Sequence, residues 1–271
     1  MTAPKLRPIS PERYYRAIRR TILGIGRSGD PAPEPTTARN AYADLYEKHA
    51  AALPPDSSIG DGDFDLIGQR ELAILTDAGL TPTSMLLDFG CGTGRLAVHA
   101  VPFLSGGRYI GTDIAPTMLV HAASILEARL GAMPHNATFE VQLDETFPPG
   151  TAPDMICAYS VFTHMEHEDI FRYLRSALTI STAQTTFVAS CLQLDLPEAQ
   201  NVFSVSASKS LDQRWREVRN VVTSPDLFTE VARLAGWAVT AWYPGSGPAG
   251  TMPDGERVGI GQSVVVLNPI R

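Results

Sequence analysis

The segment Leu86-Leu87-Asp88-Phe89-Gly90-Cys91-Gly92-Thr93-Gly94-Arg95-Leu96 runs an apolar stretch straight into three glycines at alternate positions. A helical pattern follows over Arg95–Leu104. Strand, glycine turn and helix in that order make one unit of a parallel α/β sheet. Glycine allows a tight turn with unusual dihedrals and lets a ligand approach the backbone closely. The helix start presents free N–H groups and the positive end of its dipole. A ligand with a carboxylate or another electron-rich edge fits there.

The rest of the chain from Thr83 onward repeats the alternation. Tyr109–Thr112, Thr138–Leu143, Met155–Ser160 and Thr186–Cys191 read as strands, with helices over Pro116–Leu130 and Glu166–Leu178. Pro116 suits a first turn and Gly131 a stop. Ser224-Pro225-Asp226 opens a helix that Gly236 closes, and Trp237–Tyr243 and Gln262–Leu267 are the last strands. Only a Gly/Pro loop, Pro244 to Gly255, joins that pair, so the last strand can run antiparallel. The fold class is therefore α/β: a doubly wound, seven-stranded, mostly parallel sheet with an antiparallel last strand. Leu192 to Val222 breaks the pattern and is expected to be a lid. Upstream, Ala38–Ala51 and Phe64–Gly79 read as helices. We expect two regions. Residues 1–58 hold a basic helix (Pro11–Leu23), a proline-rich linker and a helical cap; residues 59–271 form the sheet domain, with the lid at about 192–222.

Composition narrows the function. The chain of 271 residues carries a net charge of −7, which disfavours nucleic-acid partners, whose affinity rests on Lys and Arg against phosphates. No apolar run approaches a membrane span of ~18 residues. The N-terminus lacks a secretory h-region, and three cysteines (Cys91, Cys157, Cys191) without a CxxC pair fit a reducing, cytoplasmic setting. The basic N-terminal helix has two readings: contact with an anionic membrane surface, or packing on the main domain with solvated arginines.

Two cofactor classes compete for the glycine turn. The dinucleotide fingerprint GxGxxG matches Gly90 and Gly92, but its third position would be Arg95, which crowds the approach of helix to sheet. The spacing is instead Asp88-x-Gly90-x-Gly92-x-Gly94. This resembles motif I of the class I S-adenosylmethionine-dependent methyltransferases. Further motifs agree: Gly111-Thr112-Asp113-Ile114-Ala115-Pro116-Thr117-Met118, Phe139-Glu140-Val141-Gln142-Leu143-Asp144-Glu145, and Ser160-Val161-Phe162-Thr163-His164-Met165. The last is similar to a small-molecule and sugar-type subset, and the resemblance spans about Ile59 to Leu267.

That resemblance implies S-adenosylmethionine as cofactor and a binding set of Asp88, Gly90, Cys91, Gly92, Gly94, Arg95, Asp113, Ile114, Met118, Asp144, Glu145 and Ser160. In it Asp113 accepts from the ribose diol, Ile114 and Met118 contact adenine or ribose, Asp144 accepts from the adenine amino group and the Glu145 backbone lies beside the ring. Glu145 departs from the small residue usual after that acid. A small-molecule acceptor, methylated on oxygen or nitrogen, is the expected partner. Two alternatives stand: a non-catalytic S-adenosylmethionine-binding protein, or an NAD-dependent oxidoreductase.

His164 is the candidate base, since its ordinary pKa lies near working pH; the competing reading is a histidine that packs the loop. His164 and His167 sit three apart at a helix entrance without HExxH, so no metal site is assigned. Tyr42, Tyr46, Phe203, Trp215 and Trp242 are candidate pocket aromatics, each also explained by core or lid packing.

Overall fold

Leu86 and Leu87 are adjacent, both fully buried, and belong to different hydrophobic clusters. Successive strand side chains point to opposite faces, so a strand apolar at every position must be covered on both sides. The computed structural model describes residues 41–52 and 62–270 and shows this arrangement. The strands are β1 (Met85–Phe89), β2 (Arg108–Asp113), β3 (Ala137–Val141), β4 (Met155–Ala158), β5 (Thr186–Gln193), β6 (Val222–Thr223), β7 (Trp237–Tyr243), β8 (Gly250–Thr251), β9 (Arg257–Val258) and β10 (Ser263–Pro269). The helices are α1 (Ala41–Ala52), α2 (Phe64–Asp77), α3 (Ala97–Phe103), α4 (Pro116–Leu130), α5 (His167–Ala177), α6 (Pro197–Ser208), α7 (Leu211–Arg216) and α8 (Pro225–Leu234).

The main sheet runs β3-β2-β1-β4-β5-β10-β7. β3, β2, β1, β4 and β5 pair in parallel, and β10 is antiparallel to both β5 and β7. One face is covered by α2, α3 and α4, with Ile74, Ala97 and Leu119 against Leu86 and Tyr109. The other is covered by α5 and α8, with Ile170, Leu174 and Phe228 against Leu87, Ile156 and Trp237. Ile170, Leu174 and Ala177 recur at helical spacing, which gives α5 its buried stripe. The Trp237 indole donates to the Leu174 carbonyl at 2.7 Å and fixes α5 on the sheet. Local signals end the helices as expected. Asp63 caps α2 through Leu66 N (2.8 Å), Ser224 caps α8 through Leu227 N (3.2 Å), and Gly131 takes φ 83° after α4.

The strand count differs from seven in two places. β6 adds an eighth strand, parallel to the end of β5, where the chain returns from the lid (Leu192 beside Val222, Gln193 beside Thr223). The expected Gly/Pro loop contains β8, which pairs with β9. Gly250 makes this hairpin lie close on α2, since a Cβ there would stand 2.8 Å from Ile74. The 192–222 segment is the helical pair α6 and α7, with Phe203, Val205 and Leu211 exposed. No described helix is long and apolar enough to cross a membrane. The expected basic helix and the proline-rich linker lie outside the described residues.

Candidate functional site

Parallel order reverses between β1 and β4, and in open α/β sheets ligands bind at such a switch point, beyond the carboxyl ends of the strands. Here β1 ends in the alternate-glycine turn. Gly90 and Cys91 both donate to the Thr112 carbonyl (2.8 and 2.9 Å), stitching the turn to β2. Gly90 has φ +72°, and a Cβ would lie 2.4 Å from Val161 Cγ2, so no side chain fits. Gly94 has φ +82° and lets Ala122 of α4 come within 3.1 Å of where a Cβ would be.

Asp113, at the end of β2, clamps this turn. Its Oδ2 accepts from Gly92 N and its Oδ1 from Ala115 N, both at 2.9 Å. Each oxygen keeps a second lone pair. Burial pushes its pKa up to about 6, opposed by the backbone N–H groups of Ala115, Gly92 and Ile114. Asp88 sits inside the sheet: Tyr109 Oη donates to Oδ2 at 2.6 Å and Cys157 Sγ to Oδ1 at 3.4 Å. Burial raises it to about 7, partly offset by the Tyr109 bond and reinforced by Glu71.

Glu71 of α2, only 2% exposed, pairs with Arg95 through both of its oxygens. Burial raises its pKa, with Arg95 pulling the other way. Tyr159 Oη also donates to the Glu71 carbonyl at 3.2 Å, so α2, the glycine turn and the end of β4 form one fastened unit. Sequence reading missed Glu71. It lies on the apolar stripe of α2 between Ile67 and Ile74, where an acid calls for a buried cation, and Arg95 is that cation.

Ser160, after β4, adopts φ 57°, a strained conformation for a non-glycine residue. A closed ring of bonds holds it there. Ser160 N donates to Ser190 Oγ (2.7 Å), Ser190 Oγ to Gln262 Oε1 (2.6 Å), and Gln262 Nε2 to Ser160 Oγ (2.9 Å).

His164 closes the 3-10 turn Phe162–His164, and its Nδ1 lies 2.7 Å from the Arg219 carbonyl oxygen. Burial lowers its pKa, and His49 adds to this, while the Arg219 bond opposes. Tyr46 of α1 meets its ring edge-on at 6.1 Å. His167 turns elsewhere, its Nε2 lying 3.2 Å from Thr223 Oγ1.

A single cavity of 620 Å³ joins these groups, within the range of small-ligand sites. Gly90–Gly92, Asp88, Asp113, Ile114 and Met118 line one part; His164, Thr163, Val202, Val218 and Asn220 line another. Tyr46, Ala50, Ile114, Ala115 and Met118 pack together, which seats α1 over the start of α4. Cys91, Arg95 and Ser160 are also in the wall. Gly94 instead sits behind it against α4.

Asp144 and Glu145 are placed differently from the other expected residues. Asp144 is exposed and its Oδ1 accepts from Thr146 N at 2.8 Å; Glu145 pairs outward with Arg172 at 2.5 Å. Neither side chain is in the cavity wall. That position belongs to Gln142, 5% exposed, whose amide oxygen and nitrogen both lack a partner. Thr163 Oγ1 is a second buried, unpartnered atom in the wall. Such atoms fit a bound polar ligand, because leaving a buried polar group unsatisfied costs about 1–3 kcal/mol. Of the aromatic candidates, Tyr46 lines the cavity, Phe203 is exposed on the lid, and Trp242 donates to Gln193 at 2.8 Å.

A glycine turn clamped by a strand-end carboxylate, at the switch point of a doubly wound sheet, stands where open α/β proteins hold their ligands. Comparison with known proteins narrows this. Residues 87–183 match a family model described as a methyltransferase domain. Similar solved structures include a magnesium protoporphyrin IX methyltransferase from Synechocystis PCC 6803 with bound SAH. It shares 16% identity with a TM-score of 0.54, over 86% of this chain and 95% of that one. The CcbJ methyltransferase from Streptomyces caelestis shares 15% identity with a TM-score of 0.55, over 86% and 100%. Mitomycin 7-O-methyltransferase shares 16% with a TM-score of 0.54, over 84% and 67%. Residues 87–183 thus carry the likeness to a methyltransferase domain, and the fold is shared with these solved structures.

Proposed function

We propose that this protein transfers a methyl group from S-adenosylmethionine to an oxygen, or a nitrogen, of a neutral small molecule. One observation carries the reading: a single cavity connects the Asp113-clamped glycine turn with His164. The donor, when bound, supplies an electrophilic methyl on a positively charged sulfur. The chain's own residues bind, orient and deprotonate. Asp113 accepts from the ribose hydroxyls through the lone pairs that Gly92 and Ala115 leave. The Gly90–Gly92 backbone lets the nucleoside approach, and Ile114 and Met118 pack on it. Gln142 offers its unpartnered amide to the adenine edge, in the place that Asp144 would take by resemblance. Asp88 and Arg95 hold the turn through Tyr109 and Glu71.

At the other end, Leu192, Val202, Val218 and Ile260 supply apolar surface, and Thr163, Asn220 and His164 supply neutral hydrogen-bonding groups. That lining supports a partly apolar acceptor with a hydroxyl or amine, held in line with the methyl group; positioning supplies most of the rate. His164, held neutral by burial, takes the acceptor's proton. Three free, buried thiols support a reducing cytoplasmic setting.

Calorimetry with S-adenosylmethionine, S-adenosylhomocysteine and NAD, followed by transfer of labelled methyl into a metabolite extract, tests this. Binding of both sulfur nucleosides, loss of that binding in Asp113→Ala, and label in an extractable small molecule are expected. Preference for NAD overturns the reading, and binding without transfer to any extract reduces it to a carrier.

A further inference from the structure

Three contacts fasten the end of the lid to the loop that carries His164. His164 Nδ1 lies 2.7 Å from the Arg219 carbonyl oxygen. Val221 N donates to the Thr163 carbonyl at 2.7 Å. The Arg219 guanidinium pairs with Glu166 at 2.6 Å. Residues 163–166 thus meet residues 219–221 across 55 positions of sequence between His164 and Arg219.

A carbonyl oxygen accepts and cannot donate, so the hydrogen in the His164–Arg219 bond resides on Nδ1. In the neutral ring the lone pair is then on Nε2, the only nitrogen left to take a proton from a molecule in the cavity that His164 lines. The groups around the ring are Tyr46, which meets it edge-on, His49, a second imidazole, and Glu166, which Arg219 engages.

We propose that residues 219–221 act as a strap that fixes the His164 tautomer, with the Glu166–Arg219 ion pair as its clasp. The proposal rests on the reading of His164 as base. Glu166 and Arg219 are positioning residues: neither meets the acceptor, and both act through the imidazole. The base is competent when the strap is seated, so the lid that shapes the acceptor pocket also arms it. When the strap lifts, Nδ1 loses its acceptor, the two tautomers mix and the ring is free to turn.

The test uses the full chain with S-adenosylhomocysteine bound and 15N-labelled histidine. Comparison with His164→Gln assigns the His164 signals among the six histidines. Wild type is expected to show a proton fixed on Nδ1. Glu166→Ala, at a 40% exposed side chain where folding is not at stake, is expected to show mixed tautomers. With an acceptor found in the extract screen, its kcat should fall about tenfold at little changed KM. The acid limb of its rate profile should move to higher pH, because burial is the main cause holding the His164 pKa down. Arg219→Lys, which keeps the charge opposite Glu166, should lose less than Glu166→Ala. A wild-type proton on Nε2, or an unaltered tautomer and pH profile in Glu166→Ala, overturns the strap. If the tautomers behave as expected but His164→Ala keeps the full rate, the strap stands as structure and the base reading falls.

Discussion

The two ends of the cavity are built by different means. At the glycine turn the wall is tied by buried bonds inside the sheet domain: Gly90 and Cys91 to Thr112, Gly92 and Ala115 to Asp113, Asp88 to Tyr109, Glu71 to Arg95. At the lid the wall is two short helices with Phe203, Val205 and Leu211 about half or more exposed, held by the strap and by the β6 return. The first end has its charges locked before any ligand arrives, and such preorganisation spares ordering cost on binding. The second pairs its charges near the surface, as in Lys209–Glu217 and Arg216–Asp212, and leaves apolar side chains exposed. Under the proposed function, a rigid cradle serves the methyl donor, and a part whose contacts are easily altered serves the acceptor.

The sharpest way to break that contrast is to remove one charge from each end. Arg95→Met leaves Glu71 buried without its cation and is expected to cost about 3–5 kcal/mol. The loss should be larger at pH 8 than at pH 6, since burial already raises the Glu71 pKa and protonation relieves the orphaned charge. Adding Glu71→Leu should restore most of it, as a buried pair replaced on both sides often breaks even. The lid pair Lys209–Glu217, with side chains 37% and 48% exposed, is screened by water, so Glu217→Gln should change stability by less than about 1 kcal/mol. Urea unfolding of both variants decides it; equal losses would mean that the cradle is no more rigid than the lid.

The same contrast governs what the sequence disclosed. β1 and α4 lie on their expected residues, and most other elements differ by a few positions at their ends. Their signals are local: a continuous apolar run, proline at a first turn, glycine at a stop. The Asp88–Gly94 turn was legible because its backbone admits only certain residue types. Asp144 was not placed by spacing alone. Whether an acid at a strand end turns inward depends on the next bonds, and the Asp144–Thr146 turn points it to solvent. The exposure of Gln142 or Glu71 cannot be read from one position, because each is set by contacts across the sheet. The strap had no local signature, since His164 and Arg219 are joined only by the return of the lid.

A mid-sized effect sharpens the cradle's electrostatics. Asp113 at about 6 and Asp88 at about 7 are held up chiefly by burial. Each is protonated and neutral well below its pKa, and a cationic ligand favours the ionised form. Binding of S-adenosylmethionine should therefore release protons and tighten as pH rises from 5.5 to 8, by about tenfold per unit of pKa lowered. S-adenosylhomocysteine, with neutral sulfur, should gain less over the same range. Calorimetry in two buffers of different ionisation enthalpy reads the proton release directly. Identical pH slopes for the two nucleosides would show that these carboxylates do not sense the sulfur.

The smallest expected effect concerns a place where the cradle is unfinished. Gln142 holds a buried amide with no protein partner for either atom, and burying such an amide unpaired costs about 1–3 kcal/mol. Leucine fills a similar volume without that cost. Gln142→Leu should leave the free protein as stable as wild type or about 1 kcal/mol more stable. It should weaken S-adenosylhomocysteine binding severalfold, about 1 kcal/mol, through loss of bonds to the adenine edge. Asp144→Ala removes an exposed side chain outside the wall and should leave affinity unchanged. Thermal melts with and without nucleoside separate the two quantities, because stability of the free state and the ligand-induced shift move in opposite directions only if the amide is reserved for the ligand. Should Asp144→Ala weaken binding and Gln142→Leu not, the nucleoside reaches past the wall, and the loop after β3 rearranges on binding.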